Sequence, residues 1–280
     1  MTEIDNEALY MPKHVLMSKK KEYYFLTGLP RAGNTLLGSL MNQNPNVCIT
    51  AQSVVVEVLW QLQMIQESMV FDNFPDSKSF ENVSKNVFKN YYSRHQANKI
   101  LDRGHWGTIE NIHNIKQNVT NKPKFVILYR PIVEVLASFV KAGEMAQGQE
   151  LLDKFLPEDS FIGMSAASIK NIITQKEDYI FVTYKELASE PIKTVKKIFE
   201  FIEEDYIPIQ TTNLKQLNVN GIEYDDSVFS KAGSWPIKLH TIKTDEVKYK
   251  SIDIRRYLSE TVIQKALAFD DILECLKNAN

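Results

Sequence analysis

The chain has 280 residues, of which 35 are acidic and 33 basic, leaving a formal net charge of −2. Apolar residues make up 44% and charged ones 24%, an ordinary balance for a soluble globular protein. That balance excludes a global electrostatic attraction to nucleic acid or to an anionic membrane surface, although a local basic groove stays open.

Two cysteines, Cys48 and Cys275, cannot build a disulfide framework. No cluster of cysteine and histidine has metal-ligand spacing, so no metal is expected. There is no run of about 18 apolar residues, and the opening MTEIDNEALYMPKH lacks the basic-then-apolar profile of a signal peptide. The expectation is a reduced, cytoplasmic protein without membrane or nucleic-acid partners. Oligomeric state is not legible.

Residues 1–21 read as a polar lead-in ending in three lysines, followed by one domain over 22–280. Tyr23–Thr27 (YYFLT) is a short apolar run ending at Gly28, the pattern of a buried strand. Asn34–Asn42 has helical spacing and stops before Pro45. Ser53–Glu67 reads as a helix capped by Ser53, with Val54, Val58, Leu59 and Leu62 along one stripe. Phe80–His95 is a further amphipathic helix. Lys124–Tyr129 (KFVILY) is a second strand, and Ile132–Ala142 a helix opened by Pro131. The more polar stretch around 144–175 reads as an insertion of short helices near the site. Tyr179–Thr183 is a third strand, followed by a helix over Pro191–Ile202. Asn213–Lys250 reads as an extended loop, and Arg255–Lys277 as a closing helix. Continuous apolar runs alternating with helices predict an α/β three-layer sandwich around a parallel sheet.

Chemistry concentrates at Gly28–Thr35 (GLPRAGNT), which keeps the G-x4-G-x-T spacing of a phosphate-binding loop between strand and helix. Backbone N–H groups and the helix N-terminus cradle an anion in such loops. The lysine of a nucleotide-triphosphatase is replaced by Asn34, and the cation has moved to Arg31. The second strand ends not in a magnesium-binding aspartate but in Arg130, which suits a phosphate. An anion loop, a second cation and no obvious metal ligand suit group transfer from a nucleotide without a metal clamp.

These residues resemble the sulfotransferases that use 3′-phosphoadenosine 5′-phosphosulfate (PAPS). GLPRAGNTLL at Gly28–Leu37 is similar to their first motif. Arg130 and Ser138 in YRPIVEVLASF match the arginine and the serine eight residues later in their second. FVTYKELASEPIKTVKKIFEFI at Phe181–Ile202 is similar to a further stretch. NQNPNVCIT at Asn42–Thr50 and Asp102-Arg103-Gly104-His105-Trp106 point to the bacterial-type and protein-tyrosine branch.

The resemblance implies a P-loop-like sulfotransferase fold and transfer of a sulfuryl group from PAPS to an acceptor hydroxyl, releasing adenosine 3′,5′-bisphosphate (PAP). Arg31 would stabilise the leaving phosphate. The N–H groups of Ala32, Gly33, Asn34, Thr35 and Leu36, with the Thr35 hydroxyl, would hold the 5′-phosphate. Arg130 and Ser138 would hold the 3′-phosphate, with Tyr184 near the adenine or that phosphate. A late loop would close over the donor, its candidates being Lys231, Lys238, His240 and Lys243. The glutamate base of the protein-tyrosine branch falls on Gln52, which cannot accept a proton. His105 and Glu57 are the substitutes by position. The alternatives are a P-loop kinase and a catalytically degenerate nucleotide-binding homologue. The acceptor is not legible.

Overall fold

A computed structural model describes residues 20–142, 149–228, 240–242 and 245–279. Its centre is a parallel sheet of β1 (Glu22–Gly28), β2 (Val47–Ile49), β3 (Lys99–Arg103), β4 (Lys124–Tyr129) and β5 (Asp178–Thr183), in the order β2-β3-β1-β4-β5. β1 and β4, both read from the sequence as strands, take interior positions in the sheet. Phe25, Leu26, Phe125, Val126, Ile127 and Leu128 are fully buried. Burial of each such side chain is worth about 1.5–3 kcal/mol.

Helices cover both faces, the expected three-layer arrangement. On one side α1 (Asn34–Met41) packs against β2, and α10 (Pro191–Phe201) against α1 and β5. On the other, α8 (Phe161–Thr174) packs against β1. α4 (Ser77–Tyr91) and α5 (Ile109–Asn118) pack on each other, and α2 (Val55–Gln66) on both. The short helices α3 (Met69–Asn73), α7 (Gln149–Phe155) and α9 (Tyr184–Ser189), with α6 (Ile132–Lys141), complete the order up to α10.

Several elements depart from the sequence expectation. α2 begins at Val55, because the Ser53 hydroxyl donates to Asp102 Oδ2 at 2.6 Å while accepting from the Val55 N–H at 3.2 Å. Its buried stripe is Val55 and Leu59, and Val54 and Val58 face outward. The polar-looking stretch around 144–175 contributes a core helix: Ile162, Ala166, Ile169, Ile172 and Ile173 of α8 are buried. The closing helix is two, α11 (Glu260–Phe269) and α12 (Ile272–Ala279). Asp270 sits at the break, where its Oδ2 accepts from the Tyr129 hydroxyl and the Ile132 N–H, each at 2.8 Å. The C-terminal segment thereby clamps the β4–α6 turn that carries Arg130. Within the expected extended loop, β6 (Asn218–Val219) and β7 (Ile222–Glu223) form a small hairpin. Residues 1–19, Lys231, Lys238 and Lys243 lie outside the described residues.

β3 is buried along its whole length despite the sequence KILDR. The Lys99 ammonium reaches Glu22 at 2.9 Å. Asp102 is fully buried, and its carboxylate collects the hydroxyls of Ser53 and Tyr92 and the Trp106 indole N–H. It therefore joins β3 to the start of α2 and the end of α4. Burial pushes its pKa up to about 6 against the pull of these donors. Asp102→Ala leaves three donors without an acceptor and should lower the unfolding free energy by about 3 kcal/mol in urea denaturation, with Asp102→Asn losing less.

Candidate functional site

The loop after β1 is shaped by its neighbours. A Cβ on Gly28 would lie 2.5 Å from the Leu128 carbonyl oxygen, so only glycine lets β1 stay paired with β4 here. The chain then curls through two left-handed residues, Arg31 (φ 61°) and Gly33 (φ 95°). For a non-glycine residue this conformation costs about 1–2 kcal/mol. α1 starts without a side-chain cap, so the N–H groups of its first turn keep no intrahelical acceptor and face the cleft. The Asn34 amide occupies the Walker-lysine position but donates to the Leu29 carbonyl at 3.1 Å, fastening the loop across its base.

Three guanidinium groups surround this loop. Arg31 Nε donates to Ser138 Oγ at 3.2 Å, linking the loop to α6. Arg130 Nη1 donates to the Arg31 carbonyl at 3.2 Å, and its Nε pairs with Glu134 at 3.1 Å. Its guanidinium carbon lies 4.5 Å from the Tyr184 ring centroid. Arg103, at the end of β3, is buried, and its Nη2 makes only a long 3.5 Å contact to the Gly28 carbonyl. Among the described residues its Nε has no hydrogen-bond partner, and burial lowers its pKa to about 10, which leaves it charged at neutral pH.

These groups line one cleft of about 460 Å³, together with Gly33, Asn34, Thr35, Leu36, Gln52, Tyr184 and His240. Lys141, Lys248 and Lys250 add further positive charge to its walls. A chain of net charge −2 thus holds a locally basic groove at the carboxyl ends of its parallel strands, where α/β sheets bind ligands. Among the described residues no group of three or more His, Cys, Asp or Glu side chains could hold a metal ion.

A family model for the sulfotransferase domain matches residues 21–224. The chain belongs to the sulfotransferase domain family. Its fold is similar to that of mouse sulfotransferase SULT7A1, solved in complex with PAP, at 14% identity and a TM-score of 0.50, covering 92% of this chain and 88% of that one. The sulfotransferase domain of the Synechococcus PCC 7002 olefin synthase is also similar, at 17% identity and a TM-score of 0.49, covering 90% and 95%. No curated protein sequence matches the chain.

Within this sulfotransferase domain the structure brings Arg31, Gly33, Asn34, Thr35, Leu36, Arg130, Ser138 and Tyr184 to the cleft. Ala32 is buried inside the loop. The two sequence candidates for a base are placed elsewhere. Glu57 is exposed on α2, where it accepts from the Gln61 amide at 3.1 Å. His105 sits beyond the end of β3 with its ring edge-on to Phe161, the centroids 6.3 Å apart, and it does not line the cleft. Arg103 is the cleft residue that motif reading passed over, quoted only as part of a short segment. Its signal is its place at the end of a strand in a β-α-β order.

Burial, reinforced by neighbouring Arg103, lowers the His105 pKa from 6.5 to about 4. A histidine depressed in the fold contributes stability that is complete above its unfolded pKa and lost as pH falls toward its folded one. Between pH 7 and pH 4 the wild type should therefore lose about 2–3 kcal/mol that His105→Gln does not, read from urea midpoints at each pH.

Proposed function

We propose that this sulfotransferase domain moves a sulfuryl group from PAPS to an acceptor hydroxyl by in-line displacement. The observation that carries this is the connected set Arg31–Ser138–Arg130, which joins the phosphate loop to the β4–α6 turn. Such a set offers two separate anion subsites in one cleft, as a donor with both a 5′-phosphosulfate and a 3′-phosphate requires. The fit is further supported by the uncapped N–H groups of α1 and by Arg103 Nε, which has no hydrogen-bond partner among the described residues. The PAP bound by the similar mouse sulfotransferase supports it as well.

PAPS would supply an activated sulfuryl group whose leaving group is a phosphate. The residues here would do the rest by positioning and by stabilising charge. The first-turn N–H groups of Gly33–Leu36 and the Thr35 hydroxyl would hold the 5′-phosphate. Arg31 would neutralise charge developing on the leaving oxygen, with Arg103 facing it from the neighbouring strand. Arg130, held flat by Glu134 and Tyr184, would present its remaining donors to the 3′-phosphate beside Ser138. A kinase finds less support, because Asn34 is spent on the Leu29 carbonyl and β4 ends in Tyr129-Arg130.

The test is calorimetry with PAP in the absence of magnesium. Wild-type protein should bind PAP far better than it binds 5′-AMP. Arg130→Ala should weaken PAP binding about 10- to 100-fold while leaving AMP binding nearly unchanged, the loss expected for one charge-assisted contact. Equal affinity of the wild type for PAP and AMP would count against a 3′-phosphate subsite. Binding of PAP with no turnover of PAPS would mark a nucleotide-binding homologue instead.

A further inference from the structure

The donor site leaves one built assembly on the cleft wall without a task. His240 Nδ1 lies 2.6 Å from Asp226 Oδ1, and the His240 backbone N–H donates to Asp226 Oδ2 at 2.9 Å, so one carboxylate grips the residue twice. Both side chains are only 11% exposed. The imidazole also stacks on Tyr224, with centroids 4.4 Å apart and planes at 23°. Tyr224 is fixed in turn, because its hydroxyl accepts from the N–H groups of Ala51 and Gln52 at 2.8 and 3.2 Å and donates to the Gln52 carbonyl at 2.9 Å. The ring is therefore locked in position and in rotation, on the side of the cleft where Gln52 stands.

His240 lines the cleft together with Arg31, Gln52 and Arg103. With Nδ1–H committed to Asp226, the lone pair of the neutral ring lies on Nε2, which makes no hydrogen bond among the described residues. A base oriented by a carboxylate through its far nitrogen is the arrangement that proton transfer from a hydroxyl needs. Glu57 and His105 do not line the cleft, and Gln52 has no basic group.

We propose that His240, oriented by Asp226, is the general base for the acceptor hydroxyl; this rests on the sulfuryl-transfer function given above. Nε2 takes the hydroxyl proton as the acceptor oxygen bonds to sulfur. The bond from sulfur to the 5′-phosphate oxygen breaks, and its electron pair leaves on that oxygen beside Arg31. Asp226 balances the imidazolium, which returns its proton to water. Tyr224 stacks on the ring, and Arg103, Lys248 and Lys250 line the same cleft. Asp226 is a positioning residue, since it acts through the histidine.

The experiment uses the full chain, PAPS, and two surrogate acceptors, phenol and 4-nitrophenol, at a mildly alkaline pH where only the second is largely ionised. His240→Gln should bind PAP within about twofold of the wild type by calorimetry, lose about 10²- to 10⁴-fold in transfer to phenol, and lose less than about tenfold with 4-nitrophenol. Asp226→Asn should reduce phenol transfer by about tenfold or more through kcat, with transfer to 4-nitrophenol and PAP binding little changed. An equal loss with both acceptors, or none with phenol, overturns the assignment of the base while normal PAP binding leaves the donor site intact. Failure of the wild type to bind PAP would instead overturn the donor reading itself.

Discussion

Parallel pairing of β1 with β3 on one side and β4 on the other is the constraint from which the site follows. Leu26 pairs with Arg103, and Gly28 with Leu128, so the three strands end within about three residues of one another. Neighbouring strands run about 4.8 Å apart. Whatever leaves their ends is therefore crowded together, and here each end supplies an arginine: Arg103 from β3, Arg31 from the loop after β1 and Arg130 from the turn after β4. Three guanidinium groups in one half-buried cleft repel one another. Glu134 pairs with Arg130 and Asp102 lies beside Arg103, while Arg31 donates to a hydroxyl and Arg103 to a carbonyl. The remaining positive potential is held in place before any anion arrives. Charge stabilisation of that kind requires no reorganisation during reaction.

The same strand geometry lets β3 be charged and buried at once. Successive side chains of a strand point to opposite faces. Asp102 is turned into the core, where three donors hold it, and Arg103 lies next in line on the cleft side. Burial shifts both toward their neutral forms, raising Asp102 to about 6 and lowering Arg103 to about 10. Their adjacency offsets part of that cost, because each favours the charged form of the other. The carboxylate also ties α2 and α4 to the strand, so the support of the cleft cation and the packing of that flank are one network.

What the sequence disclosed and what it hid divide along this line. β1, β4 and β5 are continuous apolar runs, and the loop after β1 has fixed glycine spacing, so each carries a local signal. β2 is three residues long, and β3 reads KILDR, a pattern that apolar periodicity alone does not pick out. α8 lies within the stretch around 144–175 that reads as polar, and Ser165 and Ser168 interrupt its apolar face. Both are buried, and the Ser165 hydroxyl is satisfied by the Phe161 carbonyl. Tyr224, Asp226 and His240 form no recognisable spacing, and only the fold sets their rings and carboxylate against the backbone at Ala51–Gln52. Arg31, Arg130 and Ser138 were legible because strand-end and helix positions are fixed by short-range geometry. Contacts closed across long loops leave no such trace.

Asn34 shows how a single replacement redistributes function around the loop. A lysine there would begin the helix and extend toward a bound phosphate from the helix side. The amide instead turns back to the Leu29 carbonyl and holds the loop's base closed. The cation is then supplied by Arg31 at the loop's apex, in a left-handed conformation that arginine does not favour by itself. That conformation is sustained from outside: the Arg31 carbonyl accepts from Arg130, and its side chain reaches Ser138. The loop and the β4–α6 turn consequently specify each other. An arginine can do this where a lysine cannot, because its planar fork can donate sideways to Ser138 while leaving other N–H groups for an anion. The shift of one positive charge by three residues thus turns an isolated phosphate loop into half of a two-part anion site.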